Sequence, residues 1–138
     1  MRILGLDMGE RRIGVALSDP LGLTAQRLTM LERTEPSQDI QTLAALASEH
    51  GVESIVVGLP LTMQGTVGEQ AQQVMNFVEA LRQCVSCPVH LWDERLTTVQ
   101  GTKALLETDT SRRKRKQLID QIAAQLILQA YLDAHATH

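Results

Sequence analysis

Three acids on three separate segments, Asp7, Glu94 and Asp120, have the residue type and the placement for metal-assisted chemistry. Asp7 ends the apolar run Arg2-Ile3-Leu4-Gly5-Leu6, so a carboxylate is delivered to the lip of a buried strand, beside a glycine that lets backbone or phosphate approach closely. Glu94 belongs to the Asp93-Glu94 doublet that closes a later apolar run, and Asp120 lies within about 60° of Ala123, Ile127 and Tyr131 on a helical wheel. Each has a plainer reading. Asp7 could accept hydrogen bonds from the Gly9 to Arg12 turn; Glu94 could pair with Arg95 or cap the next helix, with Asp93 its nearer competitor; Asp120 could pair with Lys116. Taken together, however, three elements aim carboxylates at one rim, and clustered carboxylates repel unless cations hold them. Oxygen-only ligands select hard ions such as Mg2+ or Mn2+. If one strand separates Asp7 from Glu94, their backbones lie roughly 10 Å apart, a gap that side chains and two ions can span. Such a pair of ions suits phosphodiester hydrolysis, one activating water and the other stabilising the leaving oxygen.

The elements that must position these acids follow from the hydrophobic pattern. Residues 2 to 7 and 13 to 18 read as strands joined by a tight turn, and Asp19-Pro20-Leu21-Gly22 leads to a third strand near 23 to 31, an antiparallel meander. Pro36 and Ser37 open a helix to His50, with Ile40, Leu43, Ala44, Leu46 and Ala47 facing inward and Gly51 as its C-terminal cap. The run from Ser54 to Leu59 reads as a strand buried on both faces. After the Gly58 to Gly68 loop come a helix from Glu69 to Cys84, a strand from Pro88 to Trp92, and a helix capped by Thr97 or Thr98 running to about Glu107. A long helix from Arg112 to Ala134 closes the chain. Right-handed crossovers make the later strands parallel to the first, and sites gather at the carboxyl ends of such strands. Asp7, the Gly58 loop and Asp93-Glu94 all fall there.

At 138 residues, the chain is predicted to form a single domain over 1–138. With 43% hydrophobic and only 2% aromatic residues, aliphatic side chains must fill the core, and base-stacking platforms have little raw material. No apolar stretch approaches the roughly 20 residues of a membrane span, and the N-terminus lacks a signal-peptide pattern, so the expected compartment is the cytoplasm, with no membrane partner. Cys84 and Cys87 have metal-ligand or redox spacing but no second pair, and are read as ordinary thiols. The net charge of -3 is unlike that of a typical nucleic-acid binder. Its distribution is uneven, though. Arg112-Arg113-Lys114-Arg115-Lys116 forms one cationic run and Arg11-Arg12 a second; the run alone could equally be a solvated helix start, whereas Arg11, Arg12, Lys114 and Lys116 are the candidates to steer phosphates.

The segments Leu6-Asp7-Met8-Gly9-Glu10-Arg11-Arg12-Ile13-Gly14-Val15-Ala16, Val57-Gly58-Leu59-Pro60-Leu61, Asp93-Glu94-Arg95-Leu96-Thr97-Thr98 and Lys116-Gln117-Leu118-Ile119-Asp120-Gln121-Ile122-Ala123-Ala124 resemble, in order, the YqgF (RuvX) family of pre-16S rRNA nucleases. The resemblance spans essentially the whole chain. It implies an α/β ribonuclease-H-like fold, a five-stranded mixed sheet of order 3-2-1-4-5 with strand 2 antiparallel, flanked by helices and related to the RuvC Holliday-junction resolvases. It also implies a cytoplasmic metal-dependent nuclease that trims the 5′ end of pre-16S rRNA, with Asp7, Glu94 and Asp120 as catalytic, metal-holding acids. Related resolvases use an acid after the fourth strand, where this chain has Gly58-Leu59-Pro60; the glutamate after the fifth strand takes its place. Arg27, Thr62 and Gly101 depart from residues common in the family, and Thr62 could alter substrate contacts. The same acids would serve a resolvase of branched DNA, expected as a homodimer with two symmetric sites, whereas the RNA enzyme could be monomer or homodimer. A non-catalytic nucleic-acid-binding module is the remaining alternative. A nucleotide hydrolase of the actin-like kind would need two such lobes.

Overall fold

A computed structural model of the chain describes residues 2–97 and 112–136, except for the side chains of residues 112–121. Five strands, β1 (Arg2–Met8), β2 (Arg12–Ser18), β3 (Ala25–Glu32), β4 (Val52–Leu59) and β5 (Val89–Asp93), form one sheet in the order β3-β2-β1-β4-β5. β2 is antiparallel to both neighbours, and β1, β4 and β5 are parallel. This is the architecture that the sequence pattern and the family resemblance imply. Helices α1 (Pro36–Glu49) and α2 (Glu69–Arg82) cover one face, and α3 (Arg112–Ala134) crosses the other.

Local chemistry sets the turns. The Asp19 carboxylate accepts backbone N–H bonds from Leu21, Leu23 and Thr24, which holds its carboxyl below the usual carboxylate range and delays β3 to Ala25. Pro36 opens α1, and Gly51 follows its end with a φ of 62°, the left-handed conformation that a C-terminal cap requires. Of the two close approaches expected at Gly9, backbone or phosphate, the structure shows the first. A Cβ there would lie 2.7 Å from the Arg12 carbonyl, so the close approach is the hairpin's own backbone, locked by the Gly9 N–H to Arg12 oxygen bond.

The faces of the sheet differ in kind. Leu4, Leu6, Ile13, Val15, Ile55 and Val57 point toward α1 and α2 and form the larger core with Leu43, Phe77 and Leu81. Gly5, Ala16 and Val56, adjacent in register across β1, β2 and β4, lie toward α3. There α3 comes so near that a Cβ on Gly5 would meet the Leu128 Cβ at 2.7 Å and the Ala124 carbonyl at 3.2 Å. No helix among the described residues is long and apolar enough to cross a membrane.

Candidate active site

Asp7 follows Gly5 by two residues on β1, so it shares the face toward α3, and it is paired across β2 with Gly14. It is buried to 6% exposure. The ladder between β1 and β4 pairs Leu6 with Val57, which brings the next residues, Asp7 and Gly58, side by side on the α3 face. β4 and β5 then pair Gly58 with Trp92 and Leu59 with Asp93. A 3-10 turn, Glu94–Leu96, follows at once and folds the Glu94 side chain back over Gly58. A Cβ on Gly58 would stand 2.9 Å from Glu94 Oε1 and 2.6 Å from Ile127 Cδ1 of α3. The missing side chain is therefore the seat of the carboxylate, and Glu94 is only 5% exposed in it.

The Asp93-Glu94 doublet divides into two roles. Asp93 accepts from the Arg95 backbone N–H at 2.9 Å and from the Arg95 guanidinium at 2.7 Å, capping the turn. The Arg95 bonds hold the Asp93 carboxyl below the ordinary carboxylate range against a smaller opposing effect of burial, and Asp93 in turn raises the Arg95 pKa. Arg95 is thus engaged by Asp93 and not by Glu94, which removes the plainer reading of Glu94 as Arg95's partner. The same guanidinium lies against Gly65, tying the loop after β4 to the turn after β5. Thr62 acts within that loop: its hydroxyl lies 2.5 Å from that of Thr66, and its carbonyl accepts from Gly65.

The remaining candidates are placed as follows. Asp120 is in α3, one turn before Ala124, but its side chain, like those of Lys114 and Lys116, lies outside the described residues. The expected helix beyond Thr97 falls outside them too. Arg11 is exposed in the β1–β2 turn on the rim above Asp7, whereas Arg12 is bound to Glu32 at 2.7 Å. Among the described residues no group of three or more His, Cys, Asp or Glu side chains could hold a metal; Asp7 and Glu94 supply two carboxylates. Cys84 and Cys87 are free, and burial pushes the Cys87 thiol up, away from reactivity.

Sequence reasoning missed two features. Asp39 is also a buried acid, yet Thr34 donates to it from both backbone and hydroxyl, which marks it as structural. Gly58, at once in the strand run to Leu59 and at the start of the following loop, carries the other signal, since a lone glycine in a β-branched strand marks close approach by another group.

A family model described as RuvX, Holliday junction resolvase, matches residues 1–134. A relative in Clostridium acetobutylicum, provisionally named a pre-16S rRNA nuclease, is 51% identical over 97% of this chain and 99% of its own length. One from Myxococcus xanthus with the same name is 53% identical over 98% of this chain and 89% of its own. Among solved structures, Thermus thermophilus RuvC in complex with a Holliday junction superposes with a TM-score of 0.59 at 13% identity, covering 97% of this chain and 95% of that one. The fowlpox virus Holliday junction resolvase gives 0.53 at 11% identity, covering 97% of this chain and 99% of that one. Both similarities are of fold.

Proposed function

The chain belongs to the RuvX family, and from that premise we propose that it is a divalent-metal-dependent nuclease that processes the 5′ end of precursor 16S rRNA in the cytoplasm. The observation that carries the reading is the seating of the buried Glu94 on Gly58, the strand neighbour of the buried Asp7, at the carboxyl ends of parallel strands. That donor set, all oxygen and doubly negative, fits Mg2+ or Mn2+. Asp7 and Glu94 would hold the ions, two in the full site, with Asp120 from α3 as the third acid. Ions held there would supply an activated water and stabilisation of a leaving oxygen.

The chain's own contribution is arrangement. Gly58 leaves room for the Glu94 carboxylate, and the Asp93–Arg95 clasp fixes the turn that carries it. Burial of both acids under α3 keeps bulk water from screening them. Arg11, Arg12, Lys114 and Lys116 would meet phosphates of the strand, a sequence-independent contribution that weakens with salt. Asp7→Asn should abolish magnesium- or manganese-dependent cleavage of a precursor rRNA carrying its 5′ leader, by at least about a hundredfold, without unfolding the protein. Undiminished cleavage by a clean mutant preparation would reject the assignment.

The family description and the RuvC likeness favour one second reading, resolution of four-way DNA junctions by the same acids. Comparing both substrates at equal salt, with the protein's size measured in solution, separates the two, because a resolvase must present paired sites. Tight binding with no turnover under any metal would instead indicate a non-catalytic module.

A further inference from the structure

The chain contains one tryptophan and one tyrosine, and the fold brings both to one place together with two of the four histidines. Scarcity of aromatics argued against a stacking platform; their concentration reverses that. Trp92 occupies the same row as the acids, since Gly58 pairs with Trp92 on one side and lies beside Asp7 on the other. At two strand spacings its backbone is roughly 10 Å from that of Asp7, and the His135 ring lies another 6.2 Å beyond the Trp92 ring, within reach of a strand that continues a few nucleotides past the acids.

The rings are arranged as a stack with an edge support. Tyr131 of α3 lies between His90 and His135, its ring near-parallel to both at interplanar angles of 19° and 26°. The His135 ring is 4.1 Å from that of Tyr131, and Trp92 presents an edge contact to each at 5.8 and 6.2 Å. His135 Nδ1 is also 2.9 Å from the Tyr131 carbonyl oxygen. Three contacts thus hold an exposed imidazole in one orientation, so that a flat partner could stack on it with little further ordering. Among the described residues the buried Trp92 indole Nε1 has no acceptor. Packing alone would be served better by phenylalanine, which has no donor to strand; the larger ring reaches both Tyr131 and His135 with edge contacts.

We propose that His135, Tyr131 and Trp92 form a stacking subsite for one unpaired nucleobase of the substrate strand, several nucleotides from the scissile phosphodiester since His135 follows Asp120 by about 22 Å of helix, with the outer face of His135 as the platform. Splayed-out bases are commonly bound on aromatic and histidine rings, and such stacking tolerates any base identity. The proposal rests on the nuclease reading and narrows it to substrates with a single-stranded stretch within a few nucleotides of the cleavage position.

The test uses the full chain in EDTA at low salt, with a short single-stranded oligoribonucleotide and a series in which one abasic position moves along the strand. Binding is read by anisotropy and by the emission of the sole tryptophan. One abasic position should weaken binding by about tenfold and remove the change in Trp92 emission. His135→Ala should lose the same factor on the intact strand and become indifferent to the abasic position, and His135→Phe should restore both. A flat abasic scan, or alanine binding as the wild type does, overturns the subsite. Cleavage of the same strands with magnesium is scored separately. Abasic-sensitive binding without any cutting would sink the nuclease reading and keep the subsite, whereas cutting with a flat scan would do the reverse.

Discussion

The faces of this sheet solve opposite problems. Toward α1 and α2, β1 presents Leu4 and Leu6, both fully buried, and the helices stand off at the distance that such side chains dictate. Toward α3 the same strand presents Gly5 and Asp7, flanked by Ala16, Gly14 and Gly58, and the helix lies almost on the backbone. One face maximises buried apolar volume. The other gives up volume, and the space that Gly58 leaves is taken by the Glu94 side chain. The difference teaches that alternation along a single strand can encode stability and chemistry at once, because successive side chains face opposite ways.

Substitutions that add or remove one or a few carbons test this division. Leu6→Ala should cost about 2–5 kcal/mol of stability in denaturant unfolding, with cleavage per folded molecule unchanged. A large loss of specific activity would mean that the faces are not separable. Gly5→Ala should cost about 1–3 kcal/mol, because the atom it meets is the Leu128 Cβ, which cannot swing aside without moving α3. Cleavage should fall with it, since that helix carries Asp120.

Gly58→Ala sharpens the contrast within the α3 face. Its neighbours are the far ends of Ile127 and Glu94, which can yield, so stability should suffer less than with Gly5→Ala. The Glu94 carboxylate would be displaced, and cleavage should drop on the order of a hundredfold. A variant that melts early yet cuts normally would contradict the assignment of Gly58 as the seat of Glu94. The smallest effect is expected of Asp93→Asn. Because the folded-state carboxyl of Asp93 is depressed, its stabilisation is present above the ordinary carboxylate pKa and lost as pH falls through the lower folded value. The midpoint difference between wild type and variant should thus be modest at neutral pH and vanish in strong acid; a difference that grew in acid would reverse the inferred sign.

Much of this was legible beforehand where the physics is local. The alternating and β-branched runs specified all five strands, and Gly51 announced the end of α1 through a conformation that side chains resist. Where two nearby groups compete for one partner, the sequence was silent. Arg95 had Asp93 and Glu94 equally at hand, and only the 3-10 turn decided that it clasps Asp93. Nothing near Asp39 in sequence marks it as a buried acid; its partner Thr34 lies before the helix and reaches it only once the turn has formed. The candidate site was legible as a set of acids in matched motifs, but its assembly was not.

By itself the sequence determined the strands, the two-sided burial of β4 and which acids are candidates, since each depends on neighbours a few residues away. Tertiary structure decided that Asp7, Gly58 and Trp92 stand in one row, that Glu94 fills the space a glycine leaves, and that scattered rings gather at His135. Those outcomes depend on ladder register and on how closely α3 approaches, and both are set by packing between segments far apart in the chain.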